Sequence, residues 1–163
     1  MLVYRLVKER YAASALDGSG ARTFGGCWNS PGTALIYASE SIALAALELL
    51  VHLGRGEVLG SYRLFTLSVP DQSILTLDDA ALPLDWRADP APRSTADIGD
   101  GWVASGRSLA LLLPSTIVPR ERNCLLNPAH PEFAAIAAGA ADEPFGLDPR
   151  LADGVVSASG VGA

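Results

Sequence analysis

Residues 25–54 read GGCWNSPGTALIYASESIALAALELLVHLG, and the change of character along them decides the fold. Gly25, Gly26, Pro31 and Gly32 punctuate a loop whose backbone is expected to follow turn chemistry rather than packing. Between them stand Trp28, Asn29 and Ser30, a flat aromatic surface beside two short hydrogen-bonding groups. A short apolar strand over 34–38 carries Tyr37, and a strongly apolar helix follows. Ser39 is the expected N-cap, Glu40 suits the positive end of the helix dipole, and Gly54 supplies the stop signal. One helix position breaks the apolar pattern with a carboxylate, Glu48. A rigid loop leading to a buried acid is suited to holding a ligand.

Outward from this stretch, 163 residues form a chain large enough for one well-packed domain. The hydrophobic fraction of 49% and charged fraction of 18% describe a globular protein rather than a disordered one. The formal net charge is −6 with only 12 Lys and Arg and no basic cluster, which argues against direct nucleic-acid binding. A small anionic ligand stays open, because one Arg and a few backbone N–H groups suffice to hold it. Two cysteines without a secretory signal suggest a reducing, cytoplasmic setting. The longest apolar run, 42–53, is short for a bilayer and contains Glu48 and His52.

Alternation predicts strands over 2–7, 61–69, 73–77 and 123–127, and a strand then a turn over 111–118 split by Pro114. Residues 22–24 read as a brief strand, 11–16 as a helical turn, and 82–97 as an irregular excursion anchored by Trp86. A second helix is expected over 98–109, weakened by Gly101 and Gly106, while 133–138 suits helix or strand. A last structured patch covers 145–151. The domain is then 1–151, followed by a small-residue tail over 152–163 that is expected to be mobile. Short strands with two principal helices point to a single α+β domain without internal repeats.

Among chemistry-bearing residues Glu48 is the most informative, because a buried carboxylate is costly unless it is paired or hydrogen-bonded. An ion pair with His52, one turn on, is the plain structural alternative. Tyr37 ends the strand before the helix and is read either as a half-buried strand aromatic or as a ring facing the same cleft. Cys27, Cys124, His52 and His130 lack the paired spacing of zinc ligands, so no metal is expected. Ser115 has no Gly-x-Ser-x-Gly surround, and neither a P-loop nor a dinucleotide-fold fingerprint is present.

The runs GGCWNSPGTALIYAS, ALELLVHL, LLPSTIVPRERNCLLNPAHPEF and PFGLDPRL together resemble the RES-domain family, toxins of bacterial toxin–antitoxin pairs. The resemblance implies a fold similar to ADP-ribosyltransferases and NAD⁺ as the substrate, consumed by breakdown or by ADP-ribosyl transfer to a protein acceptor. It also implies a cognate Xre/ParS-like antitoxin as partner. Carried onto this chain, Glu48 matches the family's acid, Ser115 its serine and Tyr37 its tyrosine, all three as catalytic residues. Cys27, Trp28, Asn29, Ser30, Tyr37 and Asn123 would line the ligand site, with Asn127 as a brace.

The departure is at Cys27, where the family has the arginine of a Gly-Gly-Arg-Trp-Asn motif. Cleavage of the nicotinamide–ribose bond builds positive charge on the sugar, which an ionised Glu48 would stabilise while Tyr37 holds the leaving ring. An arginine at 27 would grip phosphate or ribose through its fork. Losing such a contact costs about 2–4 kcal/mol, and Arg22 is the nearest alternative cation in the sequence. Two other functions compete: a catalytically silent partner of the antitoxin, and a cysteine hydrolase using Cys27.

Overall fold

The computed structural model describes residues 1–53 and 60–151. The expected stop at Gly54 and the expected mobile tail lie outside them. In chain order the elements are β1 (Leu2–Lys8), α1 (Ser19–Phe24), β2 (Ile36–Ser39), α2 (Ile42–Val51), β3 (Tyr62–Ser68) and β4 (Ile74–Thr76). There follow α3 (Arg93–Ser105), β5 (Ala110–Pro114), β6 (Arg122–Leu126), α4 (Phe133–Ala138) and β7 (Ala141–Phe145). The strands form one mixed sheet in the order β4-β5-β6-β2-β1-β3-β7. Only β4 and β5 are parallel to each other; the other neighbouring pairs are antiparallel. The fold is α+β, as the alternation of short strands with helices implies.

The sheet is covered on both faces, and the period of two in its strands separates the two layers. On β5 and β6, Leu111, Leu113 and Leu125 pack with Trp28 and Trp102 on one side. Ala110, Cys124 and Leu126 pack with Val3, Ile36, Leu67 and Phe133 on the other. A third cluster joins Leu6, Tyr62 and Leu64 to Ala45 of α2, which lies across β1 and β2.

Several elements differ from the sequence reading. Residues 22–24 belong to helix α1, entered through Gly18 at φ 70° and left through Gly25 at φ 75°, rather than to a strand. Helix α3 starts at Arg93, so the irregular excursion ends at Pro92; Gly106 is the left-handed C-cap of that helix, not an interior residue. Helix α4 settles the ambiguity over 133–138. Strand β7 went unrecognised because its sequence, ADEPF, is polar and carries a proline, which the sheet accommodates because β7 is an edge strand.

The N-cap of α2 is Ser41, whose Oγ accepts from the Leu44 N–H at 3.0 Å. Ser39 is still strand, in register with Asn123. Glu40 lies outside the helix and accepts instead from the Arg122 N–H at 2.7 Å.

Candidate active site

Helix α3 holds the glycine loop from one side. Thr95 Oγ1 donates to the Cys27 carbonyl at 2.6 Å, and Asp100 Oδ1 accepts from the Ser30 N–H at 3.1 Å. Between them Gly99 lies so close that a Cβ there would sit 1.8 Å from the Trp28 carbonyl oxygen. The loop is therefore shaped by packing against α3 as well as by its turn residues, more than its glycines and proline alone imply.

Inside the loop Asn29 is a brace. Its Nδ2 donates to the carbonyls of Ala21, Ser30 and Thr33 at 2.9, 3.1 and 3.0 Å. Its Oδ1 accepts from the Tyr37 hydroxyl at 2.8 Å, which in turn accepts from the Trp28 N–H at 3.0 Å. Gly26 is required here, since a Cβ would come within 2.5 Å of the Tyr37 hydroxyl. Burial raises the Tyr37 phenol above its ordinary range, so it stays protonated and its bond to Asn29 persists.

Beside the loop opens a cleft of about 360 Å³ between the β1–β2 region and α2. Its walls include Arg5, Cys27, Trp28, Tyr37, Ser39, Glu48, His52, Thr116 and Asn123. Cys27, Trp28, Tyr37, Glu48 and Asn123 of the expected set thus share one cavity. Asn29, Ser30 and Ser115 do not line it: Asn29 is spent on loop bonds, Ser30 is tied to α3, and Ser115 is fully buried. Arg22 lies in α1, exposed and away from the cleft walls. Cys124 is packed in the core on the far layer from Cys27, so the two thiols contribute to no common site.

Glu48 is held from two directions. Ser115 Oγ donates to its Oε1 at 2.8 Å, and Asn123 Nδ2 makes a short hydrogen bond to the same oxygen. Ser115 Oγ is itself fixed by accepting from the N–H groups of Ile117 and Val118, each at 3.1 Å. These partners replace the ion pair with His52 as the means of holding the acid. Both act on Oε1, so among the described residues Oε2 is the carboxylate oxygen without a hydrogen-bond donor.

Arg5 was overlooked in the sequence, though the signal was the same as for Glu48: one charge within an apolar run, LVYRLV. Strands β1 and β2 are in register at Tyr4 and Ser39, and next to that point the Arg5 guanidinium bridges to the neighbouring backbone. Nη1 donates to the Tyr37 carbonyl at 2.7 Å and Nε to the Ala15 carbonyl at 2.8 Å. Burial lowers its pKa to about 10, with Asp17 opposing the shift, which leaves it cationic at neutral pH. The Cys27 thiol is pushed up by burial and then by the charges of Glu48 and Asp89, so it is neutral there.

The arrangement offers an anchored carboxylate, an aromatic ring and a half-buried cation around one cavity, a set suited to a ligand with both cationic and anionic parts. Among the described residues no group of His, Cys, Asp and Glu is placed to hold a metal. Among them, too, no helix is long and apolar enough to cross a membrane.

Comparison with known proteins places this geometry in context. A family model described as RES domain matches residues 2–148. A protein named Toxin Res from Yersinia enterocolitica is 46% identical over 151 residues, covering 93% of this chain and 99% of that one. A Sphingobium protein named Prs ADP-ribosylating toxin is 44% identical over 144 residues, covering 86% and 89%. A Toxin Res from Photorhabdus laumondii is 38% identical over 151 residues, covering 93% and 97%. With a family model spanning nearly the whole described fold and relatives this similar along their full lengths, the chain belongs to the RES-domain family.

Proposed function

We propose that this chain is a toxin of the Res type that cleaves NAD⁺ at the nicotinamide–ribose bond. The observation that carries the reading is Glu48, anchored through Oε1 by Ser115 and Asn123 on the wall of a cleft that Tyr37 and Arg5 also line. The names of the relatives supply the class, one of them being called an ADP-ribosylating toxin.

The chemistry follows from charge. The bond between C1′ of the ribose and the pyridinium nitrogen breaks heterolytically; its electron pair neutralises the pyridinium, and positive charge develops at C1′ and the ring oxygen. The Glu48 carboxylate stabilises that charge and holds a ribose hydroxyl. Tyr37 presents its ring to the nicotinamide, its orientation locked by Asn29 and Trp28. An acceptor oxygen or a nucleophilic side chain of a protein then bonds to C1′ and loses its proton to solvent. The half-buried charge of Arg5 favours the anionic pyrophosphate and partly offsets the lack of an arginine at 27. The protein partner in this reading is an Xre/ParS-like antitoxin, and the setting is the cytoplasm.

A second reading, a silent partner of that antitoxin, is favoured by Cys27, a neutral thiol where the family's arginine is expected. Nicotinamide release from NAD⁺ separates the two, comparing the chain with Cys27→Arg and with Cys27→Arg/Glu48→Ala. The proposal expects release that rises with the arginine and vanishes with the alanine. A folded Cys27→Arg variant that releases no nicotinamide overturns it in favour of the silent partner.

A further inference from the structure

Ser39 is buried on the last position of β2, directly opposite Asn123 on β6, and it lines the cleft. Its Oγ donates to Asn123 Oδ1 at 2.8 Å, while Asn123 Nδ2 donates to Glu48 Oε1. A carboxamide has two unlike ends, one that only accepts and one that only donates. Satisfying Oδ1 with a hydroxyl therefore directs Nδ2 toward the carboxylate. We propose that Ser39 is a positioning residue which, acting through Asn123, sets the direction of Glu48 in the cleft. The proposal rests on the reading of Glu48 as the reacting carboxylate.

Asn123 is half-buried, and its Oδ1 meets the hydroxyl of the buried Ser39. Without that hydroxyl, Asn123 Oδ1 loses its donor, and the amide is free to turn toward the donors of the open cleft. The amide then relaxes by rotating, and the bond to Glu48 is lost or lengthened. Ser115 alone holds Oε1 from the β5–β6 turn, which leaves the carboxylate free to swing about that single contact. With both supports present the chain Ser39–Asn123–Glu48–Ser115 runs from β2 through β6 and α2 to the turn, each link strengthening the next. Ser39 does not need to touch the reacting atoms for this role.

The test compares the full chain carrying Ser39→Ala or Ser39→Thr with the unaltered protein, each also in the Cys27→Arg background. The side-chain amide resonances of Asn123, identified by their loss in Asn123→Ser, give a readout independent of activity. In Ser39→Ala these resonances are expected to move toward free-amide positions and to exchange with solvent at least about tenfold faster. Ser39→Thr, which keeps the hydroxyl, retains the original pattern. Nicotinamide release follows: kcat falls about tenfold in Ser39→Ala, KM changes less than about twofold, and Ser39→Thr restores kcat.

Unchanged Asn123 resonances in Ser39→Ala overturn the proposal, as does an unchanged kcat when the amide has moved. If Ser39→Ala does not fold, Ser39→Cys keeps the volume with only a weak donor and gives the same readouts. If no form of the chain releases nicotinamide, the proposed function fails while the amide resonances still decide for or against Ser39.

Discussion

Ser115 Oγ donates to Glu48 Oε1 at 2.8 Å across 67 residues of sequence, and Ser115 Oγ itself accepts from the N–H groups of Ile117 and Val118. All the bonding capacity of that hydroxyl is spent. Ser115 is thus a support for the acid and for its own turn rather than a nucleophile. Replacing it with alanine removes the acceptor of two backbone N–H groups and one donor to Glu48. We expect Ser115→Ala to lower stability by about 1–3 kcal/mol in urea unfolding. Incubation with an electrophilic serine reagent is expected to leave Ser115 unmodified in the native protein, as mass spectrometry of peptides would show.

Two glycines of α3 provide an internal control for the packing of the glycine loop. A Cβ at Gly99 would meet the Trp28 carbonyl oxygen at 1.8 Å, whereas a Cβ at Gly101 would meet nothing within 4 Å. Gly99→Ala should cost at least about 1–3 kcal/mol, because the loop backbone must move. Gly101→Ala should instead stabilise by about 0.5–1 kcal/mol through helix propensity. Urea midpoints of the two variants, expected to shift in opposite directions, check both statements.

Thiol reactivity reports on the field inside the cleft. Cys27 is raised by burial and by the neighbouring charge of Glu48, so its thiolate is scarce at pH 8. Alkylation of Cys27 should be slower than that of a free thiol. Glu48→Gln removes the repelling charge and should accelerate it several-fold at the same pH. Rates of iodoacetamide incorporation at Cys27 give the answer; equal rates in the two proteins would mean that Glu48 and Cys27 do not share a field.

Burial pushes the Cys124 thiol from 9.0 up to about 12. The unfolded chain loses this proton near pH 9 while the folded chain keeps it. The native state therefore binds more protons in the interval, and stability falls as pH rises from 9 toward 12. Urea unfolding of wild type and Cys124→Ala at pH 8, 9 and 10 should show a steeper decline for wild type. Parallel declines would contradict the assignment.

The Arg5 fork makes two bonds to carbonyls of different elements, which a lysine ammonium cannot reproduce with the same geometry. Arg5→Lys should lower the melting temperature and weaken NAD⁺ binding by tens of fold while keeping the charge. Calorimetric titration with NAD⁺ measures the second effect separately from turnover.

Much of the candidate cleft was legible because its lining residues lie close together in the chain. The loop at 25–32, Tyr37 and Glu48 fall within one continuous stretch, and an acid inside an apolar helix is visible without a structure. The same signal at Arg5 went unread, since one charge in a short strand is ordinarily solvated on an open face. The cap of α2 was misplaced by two residues, because Ser39 and Ser41 are both good N-caps and only strand pairing with Asn123 assigns Ser39 to β2.

What the sequence by itself determined is the list of parts: α+β alternation, a turn-rich loop, an apolar helix with one carboxylate, and family motifs along nearly all of the chain. Local periodicity and turn chemistry act over a few residues, so they survive in the linear text. Only the tertiary structure decided which groups hold the acid. Among the described residues Ser115 and Asn123 hold Glu48, Ser39 holds Asn123, and Thr95, Gly99 and Asp100 clamp the loop. These contacts join residues far apart in the chain, and a hydrogen bond depends on ångström-scale placement that strand order and helix packing alone supply.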